Sequence, residues 1–457
     1  MAADPVLRTL SERFGHPGFR PGQEALVRAV LSGRDALGIL PTGGGKSLTY
    51  LLPAHHLDGV VIVVSPLIAL MQDQHMRARA CGLRSEALAG PMSTTEVERV
   101  LCGVESGSVD LLLVAPERLQ GRLGERLGAA RIALLVVDEA HCLIGWGYDF
   151  RPAYRVLEGL GLRWGVPVLA LTATATPPMR EALSQALGLS DPVRVELSFR
   201  RPNLSFAVRR VATEQERWQA LWGRIAATRE PALIYATTRA QTERLSTALR
   251  GRGRKVSPFH AGMTPERRGE IQAQYLTGNL DLVVATCAFG MGVDKPDIRE
   301  VIHWSPPDSL EAYYQEAGRG GRDGSDARAL LLWRPPDLAP LRERIDHSFP
   351  PLWHLGRELW SRRDRQAPSI SSASSPPTPG LRSTSAGEGE TAMDRAILRF
   401  SMAGSGYGGW HQAWHARQAA RTRLRAVRRY LTAPDPEQSL LAYLGEPGAG
   451  NGLPSTA

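Results

Sequence analysis

The chain has 457 residues, 43% of them hydrophobic, enough for two or three domains with cores of their own. A formal net charge of +9 and a pI of about 9.7 favour a polyanionic partner, nucleic acid first, with an arginine-rich proteome and no special partner as the alternative. The four cysteines form no C-x-x-C pair, which excludes a legible zinc finger and suits a reducing compartment. The N-terminus has no apolar signal core, and the longest apolar stretch (60–71) is too short for a bilayer, so a cytoplasmic protein without membrane association is expected.

Short apolar runs recur along the first 200 residues: DALGIL (35–40), VVIVVSP (60–66), DLLLVAP (110–116), IALLVVDE (132–139) and VPVLALTA (166–173). Each is rich in Val, Ile and Leu, and most are followed by a helix-like segment. Strands buried on both faces of a parallel sheet read this way. The pattern stops at LSFRRPNLSF (197–206), a polar, proline-bearing connector, and restarts with PALIYATT (231–238), DLVVATCAF (281–289), REVIHW (299–304) and ARALLLW (327–333). Two α/β domains in tandem are predicted, 1–200 and 201–340. Residues 341–392 are predicted to be a mostly disordered linker, because APSISSASSPPTPGLRSTSAGEGE (367–390) has too few large apolar residues to offset its ordering entropy. The rest, 393–457, reads as a basic helical tail around WHQAWHARQAARTRLRAVRRYL (410–431).

Only three of the 55 basic residues are lysines, and one of them, Lys46, follows three glycines in ILPTGGGKS. A strand precedes this segment and a helix is predicted to follow, the context of a phosphate-binding loop. Thr42, Gly43, Gly44 and Gly45 would aim backbone N–H groups at phosphate oxygens, Lys46 would reach the β- and γ-phosphates, and Ser47 would hold Mg²⁺. Leu40 stands where the usual pattern has its first glycine. VVDEAH (136–141) ends a fully apolar strand, and adjacent buried acids are costly unless they bind something. Asp138 would hold Mg²⁺, Glu139 would orient and deprotonate a water, and His141 would couple the site to its surroundings. In QEAGRGGRDG (315–324), Arg319 and Arg322 are three apart, on one helix face or in a helix-terminal loop, where one could stabilise transition-state charge.

Taken in order, these segments resemble superfamily 2 helicases, and most closely the RecQ family of DNA helicases. FRPGQ (19–23) is similar to motif 0, PTGGGKS to motif I, VVSPLIALMQDQ (63–74) to motif Ia and APERL (115–119) to motif Ib. VVDEAHC is similar to motif II, GWGYDFRPAY (145–154) to the family's aromatic-rich loop, and ALTATA (170–175) to motif III. VVATCAFGMGVDKPDIREVIHW (283–304) and YYQEAGRGGRDG (313–324) are similar to motifs V and VI. The likeness covers roughly residues 10–340 and implies two RecA-like domains.

It also implies roles. Gln23 would read the adenine edge, flanked by Arg20 and His16, and Gln315 would join the catalytic group. Ser65, Pro66, Trp146, Phe150, Arg151, His260 and Thr286 would meet DNA, by stacking or on phosphates. His16 and Tyr148 depart from the family, which typically has a stacking aromatic and a histidine at those positions. The expected activity is ATP- and Mg²⁺-dependent 3′→5′ translocation on single-stranded DNA with unwinding of 3′-tailed duplex, in recombination and repair. Single-strand-binding protein is an expected partner. RAVRRYLTAPDPEQSLLAYLGEPG (425–448) is similar to the helices of the family's zinc module, yet no cysteine follows Cys287, so no zinc and no winged helix are expected. A natural short form and a damaged reading frame near 350–425 are both compatible with that. Rival readings are a translocase that does not separate strands, a non-catalytic DNA-binding protein, and an RNA helicase of the same superfamily.

Overall fold

The computed structural model describes residues 4–41, 43–66, 68–144, 152–289, 295–348 and 407–446. The first sheet comprises β1 (Ala36–Ile39), β2 (Val60–Val64), β3 (Ser85–Leu88), β4 (Leu111–Val114), β5 (Ile132–Val137), β6 (Val168–Thr172) and β7 (Val193–Glu196). The second comprises β8 (Leu204–Arg210), β9 (Ala232–Tyr235), β10 (Val256–Phe259), β11 (Leu282–Ala285), β12 (Glu300–His303) and β13 (Ala327–Trp333). Their orders are β3-β4-β2-β5-β6-β1-β7 and β10-β11-β9-β12-β13-β8. Every strand pairing among the described residues is parallel, and helices connect most of the strands, as a parallel sheet requires.

The apolar runs are explained by where their strands sit. In the second sheet, Ala232, Ile234, Leu282, Val284 and Ile302 pack in one core cluster. Their strand neighbours Leu233, Tyr235, Val283, Ala285 and Val301 pack in another. Successive side chains point to opposite faces, so a strand covered on both faces must be apolar throughout. β8 begins at Leu204, inside the segment expected to be connector. It is an edge strand with one neighbour, β13, and its residues after Leu204 are half-buried or exposed, which hides it from a search for continuous apolar runs.

Gly38 in β1 sets how closely the helix Gln23–Leu31 approaches the sheet. A Cβ at this position would lie 2.7 Å from Leu26 Cδ1 and 2.9 Å from Leu171 Cδ2. The missing side chain lets Leu26 fill the space, which brings the N-terminus of that helix against residues 43–45. Helix starts are fixed locally. Ser93 and Glu96 form a capping box on Thr94–Glu105, and Thr238 and Gln241 form another on Arg239–Arg250.

The described residues between 335 and 428 form a separate unit. It contains the helix Leu338–Ser348, so residues 341–348, assigned above to the linker, are helical; within this unit Arg417 Nη2 meets Asp346 Oδ1 at 2.6 Å. Residues 349–392 of the expected linker lie outside the described residues, as do 393–406 and 447–457 of the expected tail. Residues 429–446 belong with the two sheets. Tyr443 donates to Glu311 Oε1 (2.8 Å), and Arg180 Nη2 donates to the Leu444 carbonyl (3.0 Å). The Tyr430 ring lies 5.2 Å from that of Tyr313. The C-terminal part of the expected basic helical tail is therefore part of a core, with Leu440, Leu441 and Leu444 buried. No helix among the described residues is long and apolar enough to cross a membrane.

Gly38→Val should cost about 1–3 kcal/mol by overpacking. Chemical denaturation should show a lower midpoint at an unchanged slope.

Candidate active site

A cleft of about 880 Å³ collects residues far apart in sequence: Lys46, Ser47, Asp138 and Glu139 from the first sheet's loops, with Arg319 and Arg322 from the second. Gln23, Gln315, Arg20 and His16 also line it. Ligand-binding residues of open parallel sheets cluster beyond the strands' carboxyl ends, and the loops after β1 and β5 are such ends.

The loop after β1 begins at Leu40. Gly43 and Gly45 have φ of 85° and 75°, which glycine alone adopts without strain. A Cβ on Gly45 would also lie 2.3 Å from Gln23 Nε2. The Gln23 amide is engaged at both ends. Its Oε1 accepts from Arg20 N (2.8 Å), and its Nε2 donates to the carbonyls of Gly45 (3.0 Å) and Gly44 (3.3 Å). Arg20 Nη1 donates to the Gly43 carbonyl at 2.8 Å. Gln23, expected to read the adenine edge, and Arg20, expected to flank the base, thus brace the glycine loop. Lys46 Nζ lies 3.5 Å from the Leu40 carbonyl, and the helix that follows the loop is short, Leu48–Leu51.

β5 delivers Asp138 and Glu139 at its carboxyl end. Asp138 is 6% exposed. Burial, then the neighbouring Glu139, push its carboxyl up to about 7, against the pull of Lys46. A buried carboxylate in that state calls for a cation, and Glu139 Oε2 is a second buried acceptor that makes no hydrogen bond. Together with Ser47, Asp138 fits a divalent ion bound beside phosphate. Among the described residues no cluster of three or more His, Cys, Asp or Glu is placed to hold a metal ion.

Glu139 has φ 49°, one of two positive values among the described non-glycine residues. The peptide that aims it is held at both ends. Its N–H donates to Asp138 Oδ1 (3.0 Å), and the Asp138 carbonyl accepts from the buried Tyr154 hydroxyl (3.0 Å). Beyond Glu139 a series of polar contacts leads to Gln315, its first link a close approach and not a hydrogen bond. Glu139 Oε2 lies 3.3 Å from His141 Nδ1, which is 3.0 Å from Thr172 Oγ1. Thr172 Oγ1 donates to the Thr174 carbonyl (3.0 Å), and Thr174 Oγ1 accepts from Gln315 Nε2 (3.1 Å). Tyr154, Thr172 and Thr174 were not singled out from the sequence. A buried hydroxyl at the end of an aromatic-rich segment and two threonines after an apolar strand were the available signals.

Arg319 and Arg322 lie in the turn after the helix Leu310–Ala317, so the loop alternative holds for them. Ser65 and Pro66 follow β2, His260 follows β10 and Thr286 follows β11, each beyond the carboxyl end of its strand. His260 Nε2 pairs with Glu243 Oε1 at 2.9 Å. Thr42, Trp146, Tyr148, Phe150 and Arg151 lie outside the described residues.

Tyr154→Phe removes only the hydroxyl. It should cost about 1–3 kcal/mol by leaving the buried Asp138 carbonyl unpaired, read as a shift in the urea midpoint.

Two families match the chain, one described as DEAD/DEAH box helicase over residues 20–182 and one as Helicase conserved C-terminal domain over residues 217–324. Solved structures share the fold. Mss116p bound to ssRNA and AMP-PNP has a TM-score of 0.62 at 18% identity, over 75% of each chain. The DUF1998 helicase MrfA bound to DNA has a TM-score of 0.61 at 19% identity, over 74% of this chain and 52% of the other. Among curated relatives, the ATP-dependent DNA helicase RecQ of Haemophilus influenzae is 37% identical over 340 residues, covering 74% of this chain and 55% of the relative. The probable ATP-dependent DNA helicase RecS of Bacillus subtilis is 40% identical over 342 residues, covering 74% of this chain and 68% of the relative. The chain thus spans a little over half the length of the Haemophilus relative and two thirds of the Bacillus one. With that identity across both sheets, and the glycine loop, the paired acids and the arginine turn facing one cleft, the chain belongs to the RecQ family of superfamily 2 helicases.

Proposed function

We propose that this protein is an ATP-dependent DNA helicase that couples ATP hydrolysis to 3′→5′ translocation on single-stranded DNA and to duplex unwinding, acting in recombination and repair. The observation that carries the reading is the single cleft in which Lys46, Asp138 and Glu139 of the first sheet face Gln315, Arg319 and Arg322 of the second. A site completed by two domains ties the state of the nucleotide to the distance between them.

In this reading residues 1–200 are the ATP-binding motor domain, 201–340 the second motor domain, 341–392 a linker, and 393–457 a basic helical tail left from a zinc module without its ligands. Zinc has no part in it. The substrate is ATP. Gly43, Gly44, Gly45 and Thr42 cradle its phosphates, and Lys46 supplies a compact positive charge to the β- and γ-oxygens. Mg²⁺, held by Ser47 and Asp138, supplies neutralisation of phosphate charge. Glu139 accepts a proton from the attacking water as its oxygen bonds to the γ-phosphorus and the bond to the β–γ bridging oxygen breaks. Arg319 and Arg322 stabilise the charge that builds up. Gln23 exchanges its loop carbonyls for the adenine edge, with Arg20 and His16 beside the base.

The chain Glu139–His141–Thr172–Thr174–Gln315 gives the general acid–base site a polar path to the second domain. That path is why hydrolysis should change how the domains sit on DNA. Ser65, Pro66, His260 and Thr286 hold the strand from both domains, and Trp146, Phe150 and Arg151 sense it. The protein works in the cytoplasm on single-stranded and 3′-tailed DNA, with single-strand-binding protein as a partner.

Lys46→Ala should abolish ATP turnover while leaving much DNA binding intact. Glu139→Gln should bind ATP but hydrolyse it about 10²–10⁴-fold more slowly in a single turnover, because an amide cannot take the proton. Strand separation on a 3′-tailed duplex with ATP and Mg²⁺ tests the whole reading. Unwinding by wild type and not by Lys46→Ala is the expected result. Turnover without unwinding would make the protein a translocase, and no turnover would refute the reading.

A further inference from the structure

Arg201 and Asn203 belong to the segment between β7 and β8 that the sequence marks only as a polar connector. Arg201 reaches three carbonyls of the glycine-rich turn that carries Arg319 and Arg322. Its Nη1 donates to Gly318 O (3.4 Å), and its Nη2 donates to Gly320 O (3.1 Å) and Gly321 O (2.8 Å). Asn203 Nδ2 donates to Gly321 O and Ser325 O, both at 2.8 Å. The two side chains are also linked, Arg201 Nε to Asn203 Oδ1 at 3.4 Å.

These contacts answer a need of the backbone. The turn follows the helix Leu310–Ala317, whose Tyr314, Glu316 and Ala317 carbonyls accept from the N–H groups of Gly318, Arg319 and Gly320, so the connector's side chains serve the carbonyls of the turn itself, at the negative end of the helix dipole. A guanidinium is suited to several carbonyls at once because its donors form a fixed planar fork. Gly321 has φ 57°, and a Cβ there would lie 2.6 Å from Asn203 Nδ2 and 2.5 Å from Ser325 O, so the turn is shaped around Asn203. The same connector is tied to the helix itself. Tyr314 donates to the Phe199 carbonyl at 2.7 Å, and the two rings meet edge to face at 5.6 Å. At its other end Leu197 N donates to Ile39 O (3.0 Å), in the strand that leads to the glycine loop.

We propose that Arg201 and Asn203 are positioning residues that hold the Arg319–Arg322 turn at the cleft, and that the connector thereby delivers movement between the two domains directly to those arginines. Among the described residues Arg201 does not line the cleft, so it acts through the turn and not on the phosphates. The inference rests on the reading of Arg319 and Arg322 as transition-state groups.

The test uses the full chain carrying Arg201→Met or Asn203→Ala, with Arg322→Ala beside them. Steady-state ATP hydrolysis with single-stranded DNA gives kcat and KM. A fluorescent ATP analogue reports ground-state affinity, and ADP with aluminium fluoride reports affinity for a transition-state mimic. The expected result is a fall in kcat of about 10- to 100-fold, the scale of a misplacement near 1 Å, with KM and ATP-analogue affinity unchanged and the mimic bound more weakly in proportion. Arg201→Lys should recover part of kcat, since an ammonium keeps the charge but cannot span the carbonyls. Wild-type kcat per folded molecule in Arg201→Met and Asn203→Ala would overturn the proposal, as would a rise in KM at unchanged kcat. If Arg201→Met does not fold, Asn203→Ala decides by the same split. Arg322→Ala turning over at the wild-type rate would instead refute the underlying reading of the arginines.

Discussion

The burial of Asp138 constrains much of the first domain. An acid delivered into the cleft by the fully apolar strand β5 cannot hold its charge without help, and its carboxyl is pushed up to about 7. The surroundings are arranged to supply that help. Lys46 pulls the other way from the glycine loop, and the turn's own N–H donates to Asp138 Oδ1. What remains is a buried acid beside the glycine loop, where a further positive charge would favour its ionised form.

Glu139 is placed by geometry more than by charge. Its positive φ is a strained choice for a residue with a side chain. The strain is held because both sides of the preceding peptide are pinned, by Asp138 and by Tyr154. A side chain aimed in this way has little freedom to wander, and its carboxylate faces His141 and, through two threonines, Gln315 of the second domain. The paired acids and the second domain's Gln315 are thus joined by one series of polar contacts.

The second domain solves a different problem. Its arginines sit in a turn rich in glycine, and a glycine-rich turn is soft. Stiffness comes from outside the turn, from Arg201 and Asn203 of the connector and from residues packed on the preceding helix, including Tyr430 and Tyr443 of the C-terminal segment. This segment, expected to be a basic helical tail, supports the helix that leads into the arginine turn.

The amino-acid sequence alone determined the two sheets' interiors and the chemistry at their strand ends. Every central strand, from β1 and β5 to β12 and β13, shows as an apolar run because both of its faces are covered. The four strands that escaped the reading, β3, β7, β8 and β10, are the four sheet edges, where one side lacks a strand neighbour and polar residues are tolerated. Lys46, Asp138, Glu139, Arg319 and Arg322 were legible because their chemistry is unusual for their surroundings: a lysine after three glycines, two acids after an apolar strand, and two arginines among glycines. Only the tertiary structure decided which distant groups meet. Gln23 on the glycine loop, Tyr154 under Asp138, Gln315 on Thr174 and Arg201 across the arginine turn join residues from 16 to 141 positions apart. Contacts at such separations leave no local pattern, since they depend on how two sheets and their connector pack and not on the residues beside them in the chain.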